Sequence, residues 1–269
     1  MEGQNQVKKE GQHKPAFTIR ALPKLPVCPE SDSYAIALAH KFRDIRLQSL
    51  KFAPEAFASS YEIESQRGID HTLQRLSNPK ADVIVAISSG SAVGGGHANV
   101  DELQQLLQAD WVGFTGLLGP ETEQTLSVVS AKRDPWAKVT AATSTDTATG
   151  ATAAPVTMSD GGDVKTLHYH IGGVFVSPSA RHSGLGKAMI ATAVAKAEAE
   201  ARRAHASMRC SVLVKPENTA ARGLYAKAGF VVVGEETYVQ PPRSLVPGES
   251  QTEKMVALRM ELHRAVSQM

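Results

Sequence analysis

Apolar residues recur at a helical period in three stretches of the chain. Between Ser33 and Lys51 one side of the predicted helix is apolar and Pro54 follows, so we expect this helix to end before the proline. A second helix is expected from about Ile63 to Leu76. A third, from about Gly184 to Ala204, is apolar along one side and charged elsewhere. That pattern is typical of a helix that covers one face of a sheet.

Short runs rich in apolar and β-branched residues predict the strands. They lie at Phe17–Ala21, Val83–Ile87, Ala109–Leu118, Thr166–Val176, Met208–Val214, Phe230–Val239 and Lys254–Leu262. Two adjacent glycines, Gly172 and Gly173, interrupt the fourth run and predict a bulge or a splayed strand there. The predicted order of elements, βααβββαβαββ, indicates an α/β fold in layers.

Other segments lack any periodic pattern. Residues 1–15 are polar and predict a disordered tail. Residues 137–163 consist mostly of Thr, Ala, Ser and Gly, so we expect a disordered insertion, spanning about 125–163, between the third and fourth strands. The glycines between Ser88 and Asn99 predict a mobile hairpin connection. A phosphate-binding loop is the less favoured alternative, because no lysine or helix start follows these glycines directly. Residues 16–265 are then expected to form a single domain.

Composition narrows the classes of function. The 269 residues are 42% hydrophobic and 21% charged, which is ordinary for a globular protein. A formal net charge of +2, without a basic stripe, argues against a nucleic-acid partner. Cys28 and Cys210 are far apart and predict inert, buried thiols rather than a disulfide or a zinc site. No apolar leader or membrane span is seen, so we expect a soluble protein in the cytoplasm, with the nucleus left open.

The turn after the fourth strand has the composition of an anion site. It reads Arg181-x-x-Gly184-x-Gly186 and runs directly into the third predicted helix. Backbone N–H groups at a helix start have no partner within the helix, and the helix dipole adds partial positive charge there. Arg181 and Lys187 add side-chain charge at the same place. We therefore expect this turn to bind a phosphate group.

Two common phosphate motifs do not fit this turn. A nucleoside triphosphate loop needs a glycine where Arg181 stands and Ser or Thr where Ala188 follows Lys187. A dinucleotide fingerprint that starts at Gly184 needs a third glycine where Met189 stands.

The turn instead resembles the pyrophosphate loop of the GNAT superfamily of N-acetyltransferases, which bind acetyl-CoA. Downstream, residues 218–230 resemble the family's second signature, Asn-x-x-Ala-x-x-Leu-Tyr-x-x-x-Gly-Phe, on a short helix ended by Gly229. The two motifs stand in the family's order, and the resemblance is close over roughly residues 165–235. It implies a mixed, mostly antiparallel sheet of about seven strands, splayed between strands 4 and 5, with helices on both faces.

The resemblance also implies roles for individual residues. The cofactor-binding residues it implies are Val174, Phe175, Val176, Arg181, His182, Ser183, Gly184, Leu185, Gly186, Lys187, Asn218 and Tyr225. Backbone near Val174 to Val176 would bind the pantetheine arm like an added strand, and the turn would bind the pyrophosphate. The Tyr225 hydroxyl would protonate the departing thiolate as general acid. From the residues alone, Tyr225 could instead be a helix-end aromatic packed on the sheet, and Asn218 could be a helix N-cap, alone or in addition to binding the cofactor.

The general base is less clearly marked. His168 and His170 alternate on the fourth strand and so face the same side, and histidine can accept a proton near neutral pH. Some family members use a histidine pair on this strand. Counted back from the turn, only His170 stands at a matching position, with Gly172 at the other, so His170 is the candidate base. Glu62 and Glu64 are second candidates, expected to lie on solvated helix surface.

The expected function is transfer of the acetyl group of acetyl-CoA to a primary amine, with no metal. A small-molecule acceptor is favoured because the extra length is low in complexity and contains no recognisable recognition module. Acetylation of a protein lysine or N-terminus, and a non-catalytic acyl-CoA-binding module, stay open as alternatives. A monomer and a homodimer are both compatible with the sequence.

Overall fold

The computed structural model describes residues 17–26, 29–88, 102–121, 165–240, 242–246 and 252–265. The predicted tail, the predicted insertion and Cys28 lie outside these ranges, as does the glycine-rich connection after Ser88. The single-domain prediction for residues 16–265 therefore stays a prediction.

The described strands form one seven-stranded sheet in the order β1-β2-β3-β4-β5-β7-β6. Their bounds are β1 Phe17–Ala21, β2 Ala81–Ser88, β3 Asp110–Glu121, β4 Thr166–Val176, β5 Ser207–Val214, β6 Val231–Gln240 and β7 Glu253–Arg264. Neighbouring strands are antiparallel except for the parallel pair β4–β5. The predicted mixed, mostly antiparallel sheet is confirmed.

Six helices are described around this sheet. They are α1 Ser33–Phe52, α2 Tyr61–Gln66, α3 Ile69–Ser77, α4 Glu102–Gln108, α5 Leu185–Arg203 and α6 Thr219–Lys227. Helix α1 begins where the Asp32 side chain accepts hydrogen bonds from the backbone N–H groups of Tyr34 and Ala35. It ends just before Pro54, as predicted. Among the described residues, no helix has the length and apolar character needed to cross a membrane.

Two predictions about the helices were wrong. The single helix expected over residues 63–76 is two helices, α2 and α3, separated by Arg67 and Gly68. Gly68 adopts an extended conformation and is the N-cap of α3, which redirects the chain. The prediction also missed α4, which has seven residues. Such a short helix carries too few apolar positions for a period to be visible.

The two faces of the sheet carry separate apolar cores. On one face, α5 packs on β2–β5 and β7 through small residues such as Ala193 and Ala197. On the other face, α1 and α3 cover β2, β3 and the end of β4, with Phe42 and Phe114 in edge-to-face contact. Helices therefore lie on both faces, in agreement with the resemblance.

The sheet opens between β4 and β5. The parallel pairing runs from Thr166, opposite Ser207, to His170, opposite Ser211, and stops there although both strands continue. On its other side, β4 has one extra residue between Gly172 and Phe175, and Gly173 has a φ of +65°. A bulge increases local twist and bends the strand. The predicted splay at the glycine pair is confirmed.

Candidate active site

The turn at residues 181–184 leads directly into α5. The first backbone N–H groups of this helix have no capping side chain. Gly184 is the N-cap of α5, has a φ of +86° and offers no side-chain cap. Ala188 is the first residue whose N–H donates to the helix, with the Gly184 carbonyl at 3.0 Å. The N–H groups of Leu185, Gly186 and Lys187 precede it and have no acceptor within the helix. This geometry suits an anion.

Side-chain hydrogen bonds hold the turn against the end of β4. Arg181 Nε donates to the Val176 carbonyl at 3.1 Å, and Ser183 Oγ donates to the Ala180 carbonyl. His182 has a φ of +63°, a conformation uncommon for a residue with a side chain. The Arg181 side chain is exposed to solvent.

Gly186 lets α5 and α6 approach closely. A β-carbon at this position would lie 3.1 Å from Leu224 Cδ2 and 3.9 Å from Val176 Cγ2. The glycine thus brings the first turn of α5, the signature helix α6 and the end of β4 to one place.

We expect Gly186→Val to raise the KM for acetyl-CoA roughly tenfold, because overpacking costs about 1–3 kcal/mol and would move the amides of the helix start. Steady-state kinetics with varied acetyl-CoA measures this. Gly223→Ala is the matched control, since a β-carbon at Gly223 meets nothing within 4 Å. A Gly186→Val enzyme with an unchanged KM would show that this packing does not shape the site.

The backbone of β4 offers an unpaired edge beside the turn. Phe175 pairs with Phe114 and Val176 with Gly113 on β3, but neither pairs with β5 on the other side. Because of the extra residue in the bulge, the side chains that follow it switch to the other face of the sheet. Ile171 and Val174 therefore both pack on the α5 side, and Phe175 lies in the opposite core. An extended ligand can add to such an edge through backbone hydrogen bonds.

Asn218 caps the signature helix. It is the N-cap of α6, and its Oδ1 accepts a hydrogen bond from the Ala221 N–H at 3.0 Å. The N-cap reading is thus observed, and the side-chain NH₂ group is not used by that bond. A hydrogen bond from this group to a cofactor stays a prediction.

Tyr225 lies on the α5 side of the opening. It is 7% exposed, and its ring packs edge to face on Phe230 with centroids 5.9 Å apart. Burial, with a smaller contribution from nearby Cys210, raises the pKa of Tyr225 above its ordinary value, so the hydroxyl is protonated at neutral pH. Cys210 is a buried free thiol, as predicted, and burial raises its pKa to about 12.

His170 lies on the opposite face from Tyr225. Its neighbour Tyr169 points into the α5 core that contains Tyr225, and successive strand residues face opposite sides. The His170 Nδ1 atom lies 3.1 Å from Ser211 Oγ, on the last paired residue of β5. The two candidate catalytic side chains therefore flank the splay from its two sides.

The second candidates for the base have other roles. Glu64 was expected on solvated surface, and this is wrong: its side chain is 6% exposed and pairs with Arg75 and Arg67. Burial alone would raise the pKa of the Glu64 carboxyl, but Arg75, Arg46 and Arg67 hold it below its ordinary value. Such a carboxylate is a poor proton acceptor. Glu62 is exposed and accepts a hydrogen bond from the Leu245 N–H at 2.8 Å.

Residues 242–246, which we call the strap, lie at the end of the sheet where β4 and β5 separate. They belong to the β6–β7 connection, on the side where β7 extends beyond the end of β5. The strap reaches the loop between α1 and α2, where Arg243 donates to the Pro54 and Phe57 carbonyls at 2.6 and 2.9 Å. Phe57 in turn lies near Gly173 of the bulge.

The sequence analysis did not identify Ser211 or Arg243. Neither lies in a motif, and each contacts a partner that is distant in sequence, by 41 residues for Ser211 and His170. Ser211 can be recognised only in the structure, where the parallel register of β4 and β5 sets it opposite His170. Nothing in the sequence marks Arg243. Among the residues that the structure describes, no group of His, Cys, Asp or Glu has an arrangement that could hold a metal ion.

A family model described as "Acetyltransferase (GNAT) family" matches residues 50–230. No curated protein sequence matches the chain. Among solved structures, Arabidopsis thaliana NAA60 in complex with a bisubstrate analogue aligns with 13% identity and a TM-score of 0.44, over 90% of this chain and 99% of that one. A putative acetyltransferase from Acinetobacter baylyi aligns with 12% identity and a TM-score of 0.47, over 93% and 94%.

Proposed function

The chain belongs to the acetyltransferase (GNAT) family, and we propose that it transfers the acetyl group of acetyl-CoA to a primary amine of a small molecule. The amine attacks the thioester directly while both substrates are bound. The observation that carries the proposal is the uncapped start of α5 beside the splay, with Tyr225 and His170 on opposite faces.

The residues around the splay fit acetyl-CoA. The amides of the α5 start suit the pyrophosphate, which carries negative charge and takes several hydrogen bonds. The edge of β4 at Val174 to Val176 has no strand partner on the β5 side and suits the amide-containing pantetheine arm, with the Val176 carbonyl already accepting from Arg181 Nε. One backbone N–H near the bulge would donate to the thioester oxygen as negative charge develops on it. Asn218 would hydrogen-bond the arm from the other side of the opening.

Acid and base would act from the two faces of the sheet. His170 would take a proton from the ammonium form of the acceptor on the strap side, so that the neutral amine can attack the thioester carbonyl. Tyr225, held neutral by burial, would donate its hydroxyl hydrogen to the sulfur as the carbon–sulfur bond breaks. The splay lets the reacting carbonyl lie between them. No covalent intermediate on the protein is needed for this transfer.

The strap supports a small acceptor. Its hydrogen bonds with the loop between α1 and α2, and with Glu62 of α2, connect the β6–β7 connection to these helices at the open end of the splay, on the face that His170 occupies. An acceptor on this face has to enter beneath or beside that bridge. A small amine meets this condition more readily than an extended polypeptide.

We expect Arg243→Ala to raise the KM for the amine roughly tenfold and to leave the KM for acetyl-CoA unchanged, because two hydrogen bonds from a charged donor are lost on the acceptor side only. Steady-state kinetics with each substrate varied in turn measures this. Arg202→Ala is the control, since Arg202 is an exposed arginine on α5. An effect on acetyl-CoA alone would contradict the assignment of this face to the acceptor.

A pooled screen tests the acceptor class. The protein is incubated with acetyl-CoA and mixed small amines and peptides, and products heavier by one acetyl group are identified by mass spectrometry. The proposal expects acetylated small amines. Acetylated peptides alone would favour the protein-acetylating alternative. Binding of acetyl-CoA without any product would favour a non-catalytic binding module.

A further inference from the structure

A small cavity lies where α1 meets α2 and α3, and arginines dominate its wall. Arg43 and Arg46 come from α1, Arg67 directly follows α2, and Arg75 comes from α3. Among the described residues that line the cavity, Glu64 carries the one carboxylate. Arg46 and Arg75 are only 7% and 3% exposed. Positive charge removed from water is unfavourable unless negative charge offsets it, so this wall suits an anion.

Arg43 and Thr72 supply hydrogen-bond donors to the cavity wall. Arg43 Nη2 donates to the Ser65 and Arg67 carbonyls at 2.7 and 3.3 Å. Its other two side-chain nitrogen atoms, Nε and Nη1, make no hydrogen bond to any described residue, and neither does the Thr72 hydroxyl. Thr72 is only 7% exposed. A species in the cavity that accepts hydrogen bonds can satisfy these donors.

The acceptor groups on the wall are already engaged. One Glu64 oxygen pairs with Arg75, and the other lies 3.4 Å from Arg67 Nη1. His71 Nε2 lies 3.0 Å from the same Arg67 atom, and a guanidinium group can only donate. A water molecule has to donate as well as accept, whereas an anion only accepts. Because the wall combines donors with net positive charge, it favours an anion over a water molecule.

The size of the cavity selects a small ion. Its volume of about 10 Å³ gives room for one water-sized species. Phosphate and carboxylate-bearing molecules are larger than this. We propose that the cavity binds a single monovalent anion of about the size of chloride, with Arg43 and the Thr72 hydroxyl as donors inside the surrounding guanidinium charge.

The ion would connect the helices on both sides of the loop between α1 and α2. The Arg46 guanidinium lies over the Phe57 ring of that loop, 4.7 Å from its centroid. Phe57 in turn lies near Gly173 of the β4 bulge. An occupied cavity is therefore expected to stabilise this corner of the fold, and the stability of the protein should depend on the chloride concentration.

Thermal unfolding of the full chain at constant ionic strength measures this dependence. Chloride is exchanged stepwise for gluconate, which is too large for the cavity. With a dissociation constant of about 10 mM, about 200 mM chloride should raise the Tm by roughly 5 °C, and the rise should saturate. Thr72→Val and Arg43→Gln should each lose at least about half of the rise. Thr192→Val and Arg202→Gln, two substitutions of exposed α5 residues, are the matched controls and should keep it.

A crystal grown with sodium bromide locates the ion directly. The proposal expects an anomalous bromide peak inside the cavity. A water molecule there instead of bromide would overturn the proposal, as would a wild-type Tm that does not depend on chloride. An equal chloride effect in the wild type and in both cavity variants would also overturn it, because the ion then binds elsewhere. Neither experiment uses acetyl-CoA, so the results are independent of the proposed function.

Discussion

Replacing Tyr225 by Phe is expected to lower kcat by about 100-fold or more while the affinity for acetyl-CoA changes little. General acid catalysis contributes about 10²–10⁴-fold, and the substitution removes only the hydroxyl that would donate to the sulfur. The ring contact with Phe230 and the buried position are kept. Stopped-flow or steady-state rates, combined with calorimetric binding of acetyl-CoA, separate the two quantities.

Tyr169→Phe is the matched control for this loss. Tyr169 is also a buried tyrosine of the α5 core, 3% exposed, and burial raises the pKa of its phenol as well. Its loss should leave kcat within about threefold of the wild type, because it has no proposed contact with the substrates. Full activity in Tyr225→Phe would remove Tyr225 from the mechanism. Equal losses in both variants would indicate damage to the core rather than loss of an acid.

Replacing Arg75 by Met is expected to lower the free energy of unfolding by about 3 kcal/mol, because it leaves the buried carboxylate of Glu64 without its main partner. The Arg75 and Glu64 side chains are 4% and 6% exposed, and their ion pair joins α3 to α2. Arg67, which lies 3.4 Å from the same carboxylate, compensates in part. Urea unfolding at pH 7 measures the loss.

The pH dependence of this loss has a definite sign. In the wild type the Glu64 pKa lies below its ordinary value, so the pair's contribution to stability is present above about pH 4.5 and is lost as the pH falls through the lowered pKa. In Arg75→Met, burial should raise the Glu64 pKa, so protonation begins at higher pH and relieves the unpaired charge. The difference in the free energy of unfolding between the wild type and Arg75→Met should therefore become smaller as the pH falls from 7 towards 4.

The double variant Glu64→Gln/Arg75→Met should be more stable than Arg75→Met, because no buried charge is then left alone. A double variant less stable than both single variants would contradict the ion-pair account.

The segment from β4 through α6 could be predicted from the sequence because its signals are local. The glycine pair at Gly172 and Gly173, the turn before α5 and the end of α6 at Gly229 each depend on backbone conformations that few residues allow. The first helix was equally clear, since twenty residues are enough for a helical period to be seen.

The features that were not predicted depend on contacts between distant segments. In the sequence, Glu64 looks like an exposed residue of a helix. It is buried because Arg75 of the following helix pairs with it. Ser211 meets His170 only through the register of two strands separated by α5. Arg243 donates a hydrogen bond to the Pro54 carbonyl, which lies 189 residues earlier in the chain. Patterns within a short window carry no information on such pairs.

The most direct measurement is isothermal titration calorimetry of the full chain with CoA, acetyl-CoA and pantetheine. If amides at the start of α5 bind the pyrophosphate, CoA and acetyl-CoA should bind at one site, and pantetheine, which lacks that group, at least about tenfold more weakly. No heat of binding with CoA or acetyl-CoA, or equal affinity for pantetheine and CoA, would contradict the account.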